Sequence, residues 1–196
     1  APTPPPDTFT RIEDVISAFR VQVDAMVDRF VNDIQIIERG NRDHHPTPFS
    51  SMLVDGCIES GRDTTAGGAL YNSSGIQGVG VADTADSLAA IDHVVFRKKR
   101  YAISDIIRAI RADFTGFPAL RAELLNAPKY GNDHELPDAF AREVVRIFHS
   151  ALARHLNSRG GPYVPGFYSS TSHVGFGRHT GALPSGRRSG EPFAAS

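Results

Sequence analysis

The sequence predicts an α/β chain that is mostly helical with few strands. Three observations carry that expectation. Apolar residues recur at three- and four-residue steps over two long stretches, residues 12–37 and 137–157, which is the period of an amphipathic helix. Tyr163 to Gly177 is the best strand candidate, rich in Tyr, Phe, Val, Ser and Thr. Between the helical stretches, seven glycines fall within the twenty-five residues from Gly56 to Gly80, a density that marks backbone bending tightly or passing close to other groups.

Residues 1–9 are Pro-rich and expected to be extended. Thr10-Arg-Ile-Glu13 fits a capping box, and the stripe from Ile12 through Phe19, Val27 and Ile34 predicts a helix that Gly40 ends as its C′ residue. Such a helix would be ~42 Å long and points to a larger parent structure. Asn41 to Pro48 reads as a polar loop, and Ser51 to Glu59 as a short strand or helical turn. Asp83 or Thr84 is expected to cap a helix carrying Leu88, Ile91 and Val95. Ser104 is expected to cap the next, with Ile106, Ile107 and Ile110. A short helix over 118–126 and the long one over 137–157 follow, with Gly160 and Gly161 terminating the latter. Residues 178–192 read as an ordered loop.

Composition bounds the function. The 196 residues are 40% hydrophobic and 22% charged with a net charge of −1, average for a globular domain and without the basic excess that would point to nucleic acid or an anionic membrane. One cysteine cannot form an internal disulfide, and neither a signal peptide nor an apolar run of ~20 residues is present. A cytoplasmic setting is expected. The first residues lack an initiator Met, and both ends look cut.

Several chemistries fail on their motifs. Gly78-Val-Gly80 has Asp83 where a dinucleotide fingerprint needs its third glycine, and no phosphate-cradling G-x-x-x-x-G-K-[ST] is present. Gly186-Arg-Arg-Ser189-Gly190 is not a hydrolase elbow. His44 and His45 adjoin Asp43 but have no second pair at zinc spacing, so they read as a solvated loop and no metal is expected. His149 and His155, six residues apart, do not share a helix face. Arg97 to Arg100 reads as a wetted helix end whose cations complement the helix dipole. Cys57 lies between Asp55 and Glu59, which would raise its thiol pKa. It reads as a small buried hydrophobe, or alternatively as a thiol working beside Glu59 as a general base.

Four blocks then carry a resemblance: DGCIESGRDTTAGGALYN (55–72), GIQGVGVADTADSLAAI (75–91), Lys129-Tyr-Gly-Asn-Asp133, and GALPSGRRSGEPFA (181–194). In this order and spacing the chain resembles the glycyl radical enzymes of the pyruvate formate-lyase superfamily, and the last block looks like the dehydratase and lyase branch. The resemblance implies an incomplete portion of a ten-stranded α/β barrel. Residues 1–9 would be its tail, and 10–196 a partial barrel domain without the catalytic cysteine loop or the glycyl radical domain.

It also implies the chemistry. In the family an S-adenosylmethionine-dependent activase installs a glycyl radical in an Arg-Val-x-Gly-Tyr motif, a cysteine becomes a thiyl, and a C–O, C–N or C–C bond of a small polar substrate breaks. No such glycine motif occurs here. Cys57 falls in the family's later Gly-rich block, so the resemblance assigns it to scaffold, with Cys57 as thiyl the alternative. Residues carried over to the substrate are Tyr168 and Ser170, two apart on the expected strand and so on one face. His173 stands where the family often has Asn, and Ser185 where it usually has Asp. The expected partners are a small polar substrate, the radical-activating enzyme, and the rest of the barrel or a homodimer. Two other classes stay open: a non-catalytic binding or assembly module of the same ancestry, and a thiol enzyme using Cys57 and Glu59.

Overall fold

The longest element, α1 (Ile12–His44), runs for 33 residues. The Asp14 carboxylate accepts the backbone N–H groups of Thr10 (2.8 Å) and Arg11 (3.2 Å) and the Thr10 hydroxyl (3.1 Å), so the capping interaction forms at Asp14 rather than Glu13. The helix does not stop at Gly40, which keeps a negative φ. A glycine inside a helix costs only about 1 kcal/mol relative to alanine. Pro46, which disfavours helical geometry at the residue before it, is the effective stop. In the Pro-rich tail, Pro6–Thr8 forms a 3₁₀ turn, with the Thr8 N–H and hydroxyl both on the Pro5 carbonyl.

The computed structural model describes residues 1–168 and 170–194, which form two compact units. The first comprises residues 1–21, 78–147 and the described part of 167–196; the second comprises 22–77 and 148–166.

In the first unit, α4 (Val81–Ile91) begins at Gly80 with φ 84°, ahead of both expected caps. Thr84 lies inside the first turn and gives its hydroxyl to the Gly80 carbonyl at 2.8 Å, while Asp83 is engaged elsewhere. Small residues Ala82, Ala85, Ala89 and Ala90 let α4 be buried on several sides. The helix continues as a π turn, Asp92–Arg97, whose wider register brings Arg97 onto Asp92 at 2.6 Å. In α5 (Ile103–Arg111), Asp105 rather than Ser104 closes the first turn by accepting the Ala102 N–H at 2.8 Å. Next come α6 (Pro118–Leu125), with proline at its start, and α7 (Glu135–Leu152), whose last residues belong to the second unit. Leu88, Val94, Phe114, Leu124, Phe140 and Val144 form the core. The expected strand over 163–177 is mostly absent: α8 (Ser172–Arg178) occupies its second half.

The second unit is built on the remainder of α1, with Val27, Val31, Ala151, Leu152 and Tyr163 as its core. Residues 48–60 form two single turns, α2 (Pro48–Ser51) and α3 (Cys57–Ser60). Two strands, β1 (Ser74–Gln77) and β2 (Tyr163–Gly166), pair in parallel from Ser74↔Tyr163 to Gln77↔Gly166. Among the described residues no third strand joins them. A polar cluster holds the start of both strands: Glu38 accepts from the Ser74 hydroxyl (2.7 Å) and the Ser158 N–H (2.9 Å) and pairs with Arg159 at 3.3 Å. The Gly-rich block packs backbone on backbone, and a Cβ at Gly68 would lie 1.9 Å from the Arg62 carbonyl oxygen.

Candidate functional site

Tyr168 and Ser170 do not share a strand face, because β2 ends at Gly166; Ser169 between them lies outside the described residues. Tyr168 is exposed and lines an open groove of about 660 Å³ in the first unit together with Phe167, Gly78, Tyr130, Asp138 and Arg142. That volume suits a small organic molecule. Gly78 shapes the groove: a Cβ there would sit 2.2 Å from the Phe167 ring. Asp138 and Arg142, one helical turn apart on α7, come to one surface as i, i+4 neighbours, although no sequence motif marks them. Ser170 is not among the residues lining this groove. Its hydroxyl accepts the Ser172 N–H at 3.1 Å and touches the Ser172 hydroxyl, while its carbonyl receives the His173 N–H (3.3 Å) and lies 2.7 Å from His173 Nδ1.

The motif blocks 75–91, 129–133 and 181–194 meet in the first unit, and buried charge joins them. Arg187 is 7% exposed and gives all five of its N–H donors to backbone carbonyls. Nη2 reaches Gly177 (2.5 Å) and Glu191, Nη1 reaches Gly181 (2.8 Å) and Thr180 (3.4 Å), and Nε reaches Pro192 (3.3 Å). The guanidinium lies 4.8 Å from the centroid of the Phe193 ring. Asp83 accepts the Ala194 N–H at 2.9 Å; burial pushes its carboxyl above the ordinary range, opposed by that hydrogen bond and by Arg187. Asp86 accepts the Tyr130 N–H at 2.7 Å and is likewise raised by burial. Lys129, lowered by burial, gives Nζ to the Leu124 carbonyl at 2.8 Å. With Ser185 in place of the family's usual Asp, the turn still closes, through Leu183 N–H to the Arg187 carbonyl and Gly186 N–H to the Leu183 carbonyl, both 3.0 Å.

Cys57 is buried in the second unit. The Glu59 carboxylate accepts the Gly56 N–H at 3.0 Å, and among the described residues no hydrogen bond joins it to the thiol. His44 and His45 are exposed, His155 Nε2 lies 2.9 Å from Asp28, and no group of three metal-ligating side chains occurs among the described residues. No helix of the described residues is long and apolar enough to cross a membrane. No glycine of the chain stands in the Arg-Val-x-Gly-Tyr setting, so the residues present do not supply the radical site.

Comparison with known proteins defines the ancestry. The family model described as pyruvate formate lyase-like matches residues 1–177. The chain is 36% identical to trans-4-hydroxy-L-proline dehydratase of Clostridioides difficile across 96% of its own length and 24% of that enzyme's. It superposes on the glycerol-bound B12-independent glycerol dehydratase from Clostridium butyricum with a TM-score of 0.95 at 36% identity, over 98% of this chain and 25% of that one. A glycyl radical enzyme from Archaeoglobus fulgidus gives 0.90 at 41% identity, over 94% and 24%. The chain therefore spans about a quarter of the length of the relatives it matches. Its helices and its two strands are a portion of their α/β barrel, and the chain belongs to the pyruvate formate-lyase-like family of glycyl radical enzymes, on the dehydratase and lyase branch.

Proposed function

We propose that this chain supplies two adjacent strands and their covering helices to the barrel of a glycyl radical dehydratase or lyase acting on a small polar substrate, and that Tyr168 and Ser170 belong to the wall of its substrate cavity. The observation that carries the reading is the parallel pair β1–β2, which no third strand joins among the described residues. Parallel sheets occur almost only in α/β proteins whose sheet is covered on both faces, and a two-stranded sheet is too small to stand as one by itself. Phe49, Leu53, Ile58, Leu70 and Tyr71 of the second unit are all exposed, apolar side chains that covering elements of a larger barrel would bury. The remainder of the barrel is the occupant that the quarter-length match favours.

Tyr168 carries a phenol into a groove whose walls are largely apolar, with Asp138 and Arg142 at hand. Such a setting orients a hydroxylated substrate by a few directed hydrogen bonds. The radical glycine and the reactive cysteine come from outside this segment in this reading, and the activase is a partner of the whole enzyme. The isolated chain, treated with an S-adenosylmethionine-dependent activase, is expected to give no glycyl radical EPR doublet and to dehydrate neither glycerol nor trans-4-hydroxy-L-proline. The same segment within a full-length enzyme is expected to turn over one of these or a closely related polar alcohol. A doublet from the isolated chain, or a full-length enzyme inert towards all of them, would overturn the reading.

A further inference from the structure

We propose that Arg187 is a positioning residue for Ser170, and through it for neighbouring Tyr168, without touching substrate. The inference rests on the cavity-wall reading above. Two linked contacts carry it. Arg187 Nη2 donates to the carbonyl of Gly177, in the last turn of α8, the helix that follows the wall segment directly. The Phe193 ring lies against the guanidinium, and the Phe193 backbone N–H donates to the His173 carbonyl at 3.2 Å. His173 in turn donates its N–H to the Ser170 carbonyl and sets Nδ1 beside it.

The path from a buried cation to the wall thus runs through backbone groups and one aromatic ring, with no exposed side chain in between. The contact is tight, because a Cβ at Gly177 would meet the Glu191 oxygen at 2.4 Å. A guanidinium is needed for it. Its planar fork reaches five carbonyls in two directions, whereas a lysine ammonium offers three donors from a single point. Arg187→Lys therefore keeps the charge and loses the span.

The test uses a full-length activated enzyme carrying this segment. Arg187→Lys is expected to raise KM about tenfold, the factor that one lost substrate hydrogen bond is worth, while the EPR radical content stays at the parent level. Tyr168→Phe is expected to raise KM on its own, and the double variant to fall short of the product of the two effects, because residues acting through one another are not additive. Independently of turnover, hydrogen exchange at the Phe193 and Ser172 amides is expected to quicken about tenfold or more in Arg187→Lys, with α5 amides unchanged. An unchanged KM, multiplicative effects in the double variant, or unaltered exchange at those two amides would overturn the proposal. Should Tyr168→Phe and Ser170→Ala both leave KM unchanged, the fault lies in the cavity-wall reading itself.

Discussion

Gly175 and Gly177 lie two residues apart in α8, and the same substitution is expected to have opposite signs at the two. Neither has a positive φ, so alanine is conformationally acceptable at both. In a helix interior, replacing glycine by alanine gains up to about 1 kcal/mol. At Gly175 nothing lies within 4 Å of the added Cβ, and that gain stands unopposed. At Gly177 the Cβ would meet Glu191 O at 2.4 Å, Pro192 Cα at 2.7 Å and Phe193 N at 2.8 Å. All three are backbone atoms with no flexible end to swing aside, so 191–193 must move by roughly 1 Å to reach ordinary contact at about 3.5 Å or more. Overpacking of this kind costs about 1–3 kcal/mol. After the propensity gain, Gly177→Ala should be destabilising by up to about 2 kcal/mol, a factor of up to about 30 in the local opening equilibrium. Native-state hydrogen exchange on amides of α8 and residues 179–194, in a full-length enzyme carrying the segment, reads this directly. Faster exchange in Gly177→Ala and equal or slower exchange in Gly175→Ala is the expected pair. Equal protection in the two variants would refute the claim that the 191–193 backbone rests on Gly177.

Two further predictions concern the second unit. Asp63 is held well below the usual carboxyl range, chiefly by the Thr65 hydroxyl, with added hydrogen bonds from the Thr65 N–H, the Ser51 hydroxyl and the Thr47 N–H. A depressed folded value means that its contribution is complete above the ordinary Asp range, about pH 4, and is lost as pH falls through the lower folded value. Protection of the Thr47 and Thr65 amides, corrected for intrinsic exchange, should fall on acidification, and Asp63→Asn should lose that dependence; the same acid profile in the variant would exclude Asp63 as its source. Cys57, 4% exposed, should react with iodoacetamide at neutral pH at least about a hundredfold more slowly than in denatured chain, since alkylation requires local opening. Rapid selective labelling would instead support the thiol-enzyme reading with Glu59.

The helical framework was legible because burial writes a 3.6-residue period into the chain, and α1, α4, α5, α6 and α7 all form over the stretches expected to be helical, α7 ending at Leu152 rather than running on to 157. Boundaries went astray where a long-range partner decides. Asp83 has the chemistry of a cap, yet its carboxylate is taken by Ala194, 111 residues later, and Gly80 starts the helix. Gly40 has the chemistry of a stop but needs a left-handed φ that nothing there enforces, so the helix runs on towards Pro46. Ser-Gly-Ile-Gln at β1 carries no strand signal of its own; pairing with β2 makes it a strand. Conversely, the strand-like composition of 163–177 gives way to α8, where the Ser170 hydroxyl accepts the Ser172 N–H and the chain at 191–193 covers Gly177. For the candidate site, Tyr168 was named from resemblance alone, while Asp138 and Arg142 were missed although their i, i+4 spacing on a helical stretch was readable. What no local pattern could disclose is that Arg187 would spend its whole donor set on carbonyls.

The pairing of β1 with β2 also sets an order of events during synthesis. Ser74 meets Tyr163, and the intervening chain contains α4 to α7, most of which belongs to the other unit. A ribosome extending the chain at about 5–20 residues per second leaves β1 without its neighbour for several seconds after it emerges. During that interval its backbone N–H and C=O groups have only water, or another nascent chain, to bond. The serine, glycine and glutamine of β1 make that wait tolerable, since a short polar strand is a poor template for aggregation. The weak strand signal that hid β1 from sequence reading is thus what lets it emerge early and pair late.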